Sequence, residues 1–545
     1  MMCIKRMINL LICIIFLISI GCSYANSVHY VSVEDMVSHQ EVIRVLIDSA
    51  PGFGNHAASL NAMSQLRQMG FNGTYEVIYP DSEKDKVVAL FGLPNDLPAV
   101  YSDNNNQDNK IKFYKESVYY DLLMQHQIQP VLLGITGAHD NRFGEYIFGA
   151  NDVHSYNRNF YSNLADLTDT QIFIEWQPWY DQSEGDDRIV ISGFYSVNAR
   201  SSNAEPQPDG TIVSPRGKYF VYPVATLKDT KNYLQNDKIG KALNAKTPGL
   251  LQLISAIEAK DINFMPIYGC AFQKWFQEYN QKENHDYNPS GDPVRERANV
   301  YPQNIMTVLA AARYAQLSNR SALMRPMVIA VFYNYEQELH EIEHFINEDW
   351  GDYESQGGTE ARAVLATLGL NNKNIFSTAS VTDPDINSKL QALKPGQIML
   401  LSMGVLPKTV FDGLFTYTAD NILPPIREGE GTLNILLTTG HPHFRCEDEF
   451  GEGSDRWELD LSLVSDSELR NKLALFYGEN GFCSSNSWKT DPLFYTKLGD
   501  LIIQAQDPAS SLVRYFQDVK QDASIKENDR IYRGLEEALK VVNSR

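Results

Sequence analysis

The feature that most constrains this chain is the regular alternation that begins at Met327. The run 327–332 (Met-Val-Ile-Ala-Val-Phe) is wholly apolar and has the length of a strand. A helical stretch follows, and then a helix over 359–368, a strand over 374–380, a helix over 386–393 and an apolar strand over 397–402. A helix over 408–415, an apolar stretch at 422–426 and a helix over 432–438 complete the series. Strands that read as continuous apolar runs separated by helices belong to a parallel sheet covered on both faces. The spacing therefore predicts an α/β domain, not a sandwich or a bundle.

The same grammar opens the chain. Val42-Ile43-Arg44-Val45-Leu46-Ile47 reads as a buried strand, Pro51-Gly52-Phe53-Gly54-Asn55 as a loop, and Leu60, Met63, Leu66 and Met69 recur at helical spacing before Gly70. A second strand follows at 75–79. Such a unit starts a doubly wound parallel sheet. Further on, 119–127 and 304–315 read as helices, and 130–135, 172–176 and 262–268 as strands. The stretch 181–229 is rich in β-formers but split by Pro, Asn and Ser at 201–208, which predicts an inserted hairpin or loop. The pattern restarts near 317–325, and from 465 onward it is helical and charged. The expected organisation is two Rossmann-like doubly wound domains, 26–320 with its insertion and 321–464, facing one cleft. A helical segment, 465–545, packs back on the first of them.

Residues 1–25 carry their own signal. Lys5 and Arg6 precede an apolar run over 7–20, and Ser23-Tyr24-Ala25 offers small residues where a signal peptidase reads. Cleavage after Ala25 is expected, with the product secreted, periplasmic or delivered to a host cell. No later run is long and apolar enough for a membrane span. Cys22 raises lipidation as an alternative, against which stands Ser19 where a branched aliphatic residue is usual. Beyond the leader only Cys270, Cys446 and Cys483 remain, too few for a disulfide framework, with Cys446–Cys483 the pair to expect. The net charge of −21 argues against nucleic acid as a partner, which needs clustered positive charge. It leaves room for a small anion held by backbone N–H groups at a helix start.

Four turns can carry chemistry. Gly52, Gly54 and Asn55 lie between a strand and a helix, where the backbone can approach a ligand closely, and His56 is a candidate general base. The three-glycine dinucleotide spacing is not met, because Ala58 falls near the third position. The stretch Glu428-Gly429-Glu430-Gly431-Thr432 opens an apolar helix; its N–H groups suit a diphosphate, and its carboxylates suit ribose or sugar hydroxyls. Thr136-Gly137-Ala138-His139-Asp140 ends another strand, with Asp140 able to orient or deprotonate an acceptor hydroxyl. His340-Glu341-Ile342-Glu343-His344 matches the H-E-x-x-H zinc spacing, which keeps a zinc hydrolase open as an alternative.

At these residues the chain resembles the GT-B glycosyltransferases. Gly52, Gly54 and Asn55 stand where many members carry G-x-G-H, although here Asn55 replaces the histidine and His56 comes one place late. The strand ending at Gly404, then Leu406-Pro407, the acidic glycine loop to Thr432 and Gly440-His441-Pro442 follow the family's donor-site order. The resemblance implies a hexosyl transfer from a nucleotide-diphosphate sugar to an acceptor, a protein or a glycan, with His56 or Asp140 near the acceptor. It implies donor contacts at Gly52, Gly54, Asn55, Gly404, Glu428, Gly429, Glu430, Gly431 and Thr432, and no cofactor or bound metal. A non-catalytic two-domain protein that closes on a sugar or other small ligand is the competing expectation.

Overall fold

The computed structural model describes residues 29–47, 54–94, 96–103, 110–137, 170–176, 188–192, 211–213, 219, 221–268, 293–318, 320–332, 339, 342, 346, 358–427, 430–445, 464, 466–477, 488 and 491–544. The first half runs α1 (Val33–Ser38), β1 (Val42–Leu46), α2 (Gly54–Gln68), β2 (Thr74–Tyr79), α3 (Lys84–Phe91), β3 (Val100–Asp103), β4 (Ile111–Lys115), α4 (Glu116–Met124), β5 (Val131–Thr136), β6 (Thr170–Trp176), β7 (Arg188–Ser192) and β8 (Thr211–Val213). The strands form one sheet in the order β3-β4-β2-β1-β5-β6-β7-β8. Its centre, β4-β2-β1-β5-β6, is parallel. β3 extends it antiparallel on one side, and β7 and β8 on the other, so the stretch read as an inserted hairpin supplies the last two strands on that side.

The second half runs α5 (Leu227–Asn236), α6 (Lys238–Lys246), α7 (Gly249–Glu258), β9 (Asn263–Tyr268), α8 (Pro293–Gln316), β10 (Met327–Phe332), α9 (Gly358–Thr367), β11 (Phe376–Ser380), α10 (Ile386–Ala392), β12 (Ile398–Gly404), α11 (Lys408–Thr416), β13 (Ile426–Arg427), α12 (Glu430–Leu437) and β14 (Phe444–Arg445). Its sheet, β11-β12-β10-β9-β13-β14, is parallel throughout. β9 is therefore a central strand of the second sheet, between β10 and β13. The division expected near residue 320 does not coincide with the boundary between sheets, which falls between β8 and β9. The long helix α8, with proline at its first position, is the crossover within that second sheet.

The described part of the chain's end includes α13 (Ser467–Tyr477), α14 (Phe494–Ala505), α15 (Ser511–Ala523) and α16 (Arg530–Asn543). α14 packs on α8 and α15 on α12, whereas α16 lies against β6, β7 and α1 of the first half. The Asn543 side chain closes this return by accepting from the Tyr30 N–H at 3.0 Å and donating to its carbonyl at 2.7 Å.

The apolar interior is shared. One continuous core joins Val45, Val77 and Ile135 of the first sheet, Val328, Ala330 and Leu401 of the second, Ile435 and Leu436 of α12, and Ile531 and Leu535 of α16. The opposite face of the second sheet (Ile329, Val331, Leu400, Ile426) packs on Leu309 and Ala312 of α8 and Leu501 of α14. Burial on both faces is what the unbroken apolar runs demand. It also tells the faces apart: in the second sheet, residues alternating with the second cluster turn toward the first half.

Candidate functional site

In each sheet the connections leave in opposite directions at one place. In the first sheet this is between β1 and β5, and in the second between β9 and β13. Outside the carboxyl ends of the strands at such a point is where open α/β sheets bind ligands. The turn after β1 leads into α2, and the turn after β13 leads into α12. These two helices pack against each other, so the two glycine turns singled out in the sequence open helices that meet.

The first edge is closed tightly. The Ser59 hydroxyl accepts from the Gly137 N–H at 3.0 Å and donates to the Leu46 carbonyl at 3.4 Å, tying α2 to the ends of β5 and β1. A Cβ on Gly137 would lie 2.3 Å from backbone atoms of Ala58 and Ser59. Only glycine allows that approach. His56 is fully buried, with its Nε2 3.0 Å from Glu83 Oε2. Burial pulls the His56 pKa down, against the raising influence of the Glu83 carboxylate beside it. Burial alone would raise Glu83, but its bonds to His56 and Lys86 hold it below the usual range. His56 thus fastens the first turn of α2 to the segment before α3. His56, expected as a candidate base, is enclosed beside Glu83 with no exposed surface.

The second edge is a row across the sheet. Gly404 of β12 pairs with Phe332 of β10, and Phe332 with Tyr268 of β9. Ile426 of β13 pairs with Ile267, which puts Arg427 at the level of Tyr268, and Arg427 pairs with Arg445 of β14. Ile426 and Phe444 face the α8 side; alternation turns both arginines toward the first half. Phe411 of α11 stands edge-on to Tyr268 and to Phe332, 5.3 Å between ring centres in each case. Tyr268 and Phe411 are half-buried, while both arginines are buried. The edge therefore passes from half-buried aromatic rings to two buried arginines on β13 and β14, the strands that precede and follow α12. Burial, and next the Arg427 charge, hold His443 well below its ordinary pKa. Gly404 has φ +64°, and nothing lies within 4 Å of where its Cβ would be. It turns the chain in a left-handed conformation beside open space.

No family model matches the chain, and no curated protein matches it. Among solved structures it is similar to alpha,alpha-trehalose 6-phosphate synthase from Burkholderia multivorans, at 12% identity over 93% of this chain and 98% of that one, with a TM-score of 0.30. It is similar also to an alpha,alpha-trehalose-phosphate synthase (UDP-forming) from Burkholderia vietnamiensis, at 11% identity over 89% and 98% of the two chains, with a TM-score of 0.26. The two-sheet Rossmann-like architecture stands on the strand orders themselves.

Of the residues expected at the site, Gly54 and Asn55 begin α2, and Glu430 and Gly431 begin α12. That helix starts two residues earlier than expected, so Thr432, buried at 3% exposure, sits inside its first turn and is not its cap. Gly404 is on the same edge but three strand spacings, about 14 Å, from β13. Gly52, Asp140, Glu428 and Gly429 lie outside the described residues, as do His340, Glu341 and His344 of the zinc spacing and Cys446 and Cys483 of the expected bridge. Among the described residues no group of three His, Cys, Asp or Glu is placed to hold a metal, and no helix is long and apolar enough to cross a membrane. Gly440-His441-Pro442-His443 packs under α15: the Gly440 carbonyl accepts from Gln517 and the His443 ring lies 4.7 Å from Phe516. Sequence reasoning gave Arg427 and Arg445 no role. Their signal is an apolar residue followed by arginine at two strand ends, which becomes informative only once the strands are known to be neighbours.

Proposed function

We propose that the chain is a glycosyltransferase that takes a nucleotide-diphosphate sugar in its second half and passes the sugar to a hydroxyl brought by the first. The observation that carries this reading is the carboxyl edge of the second sheet, where half-buried Tyr268 and Phe411 give way to Arg427 and Arg445 beside the start of α12. A flat base suits the aromatic end, because ring faces and edges attract each other. A diphosphate suits the other end, where helix N–H groups and positive charge add. In the transfer, the acceptor oxygen forms a bond to the anomeric carbon as that carbon's bond to the phosphate oxygen breaks. The nucleoside diphosphate leaves with the electron pair. N–H groups of α12 and the arginine charges stabilise that developing negative charge, so no metal is required for the departure. His56 and Asp140 are the candidates to receive the acceptor's proton. The expected leader sets the reaction in a compartment supplied with donor, or in the cytoplasm of a cell that receives the protein.

Thermal unfolding of the purified full chain against UDP-, GDP- and dTDP-linked sugars tests the reading. A rise in Tm with one nucleotide class is expected. Stabilisation by free sugars alone would favour a closing binding protein, and no response to any nucleotide would sink the transferase.

A further inference from the structure

At the carboxyl ends of β2 and β4 lies a second polar group, which the proposed function has not used. Asp81 follows β2; it accepts from the Ser117 hydroxyl at 3.1 and 3.2 Å, and Lys115 Nζ lies 3.4 Å from it. Its side chain is 42% exposed. Glu116, the first residue of α4, is beside it and only 3% exposed, and among the described residues its Oε1 meets no hydrogen-bond donor. The Tyr79 hydroxyl, at the end of β2, is likewise buried without a partner among the described residues. Burying an unpaired carboxyl is costly, and a fold keeps one where something else pairs with it. Burial, then the nearby Asp81 charge, lift the Glu116 pKa to about 7. The group adjoins the segment that Glu83 fastens to the start of α2, so it sits on the same edge as the first switch point.

We propose that Glu116, Asp81 and Ser117 form a subsite for a hydroxyl group of a neutral carbohydrate. The chemistry selects that class. A hydroxyl donates to a carboxyl oxygen and accepts from Ser117 or Lys115 at once. A phosphate would meet two carboxyls, and an ammonium would have to displace the Lys115 ammonium that already lies beside Asp81. The assignment rests on the reading of the first half as the acceptor side, and it names the acceptor as an uncharged sugar or polyol.

The test is a titration of the full chain with glucose, galactose, glucosamine and glucose 6-phosphate, alongside the nucleotide panel. Glu116→Gln keeps the shape of the buried group, and Asp81→Asn alters an exposed one. The expected result is binding of a neutral hexose in preference to the charged sugars, weakened about tenfold in each variant with nucleotide binding unchanged. Preference for glucosamine or glucose 6-phosphate overturns the assignment. So does hexose binding that both variants retain, or the lack of any hexose binding by a chain that binds nucleotide. Hexose binding lost in the variants of a chain that ignores nucleotides would keep this subsite and remove the transferase.

Discussion

The two carboxyl edges grow from the same β–α–β rule, yet they differ in charge and in packing. At the first, acidic groups gather (Asp81, Glu83 and Glu116), and backbone is pressed against backbone at Gly137. At the second, two strand ends place buried arginines side by side, and Gly404 turns beside open space. A ligand carrying phosphates is attracted to the second edge and repelled from the first, whereas a ligand rich in hydroxyls finds partners at the first. The contrast teaches that a doubled fold need not give two copies of one site. The scaffold fixes where ligands go, and the residues at strand ends fix which ligand goes where.

The comparison can be pressed at four places. Gly137→Ala forces a methyl into the α2 backbone and should cost about 3 kcal/mol or more, seen as a large drop in Tm; a fully stable variant would show that the first edge is looser than described. Glu116→Gln tests the acidic side through pH. With the folded pKa lifted to about 7 from 4.5, the native state binds more protons than the unfolded chain between those values, so this group's contribution makes stability fall as pH rises through that window. The glutamine variant should lose that fall and be more stable than the parent at pH 8, by about 3 kcal/mol, with near equality at pH 4. Matching denaturant midpoints at pH 8 would contradict it. Arg427→Met tests the cationic side: nucleoside diphosphate affinity should drop about tenfold, ~1.4 kcal/mol, with neutral hexose binding intact. Calorimetry showing equal losses for both ligands would mean that Arg427 serves the fold and not the charge contrast. The smallest effect is expected at Gly404→Ala, where only the left-handed backbone is strained, ~1 kcal/mol.

Much of this was legible in the sequence for a physical reason. Parallel strands covered on both faces are apolar throughout, and 327–332 and 397–402 declare themselves without help from neighbours. What a run of residues cannot state is its pairing. β9 was grouped with the first half because it precedes the restart of the pattern, yet it pairs with β10 across the whole length of α8. β3 and β4 carry no clear signal because Val-Tyr-Ser-Asp and Ile-Lys-Phe-Tyr-Lys mix polar and apolar residues, as strands at or next to a sheet edge do. At the site, glycines and acids marked the turns, but the inward rotation of His56 onto Glu83 depends on a contact 27 residues away that no local pattern encodes. The arginine pair is of the same kind: each is unremarkable alone, and only the register makes them one feature.

The return of α16 to the first sheet makes the two halves depend on each other for stability. Ile531 and Leu535 belong to the same interior as Val45 and Val77, so the earliest strands wait for the last helix before their apolar face is complete. Removing α16 would therefore uncover apolar surface of the first sheet. The clasp of Asn543 on Tyr30 holds that helix against the first half.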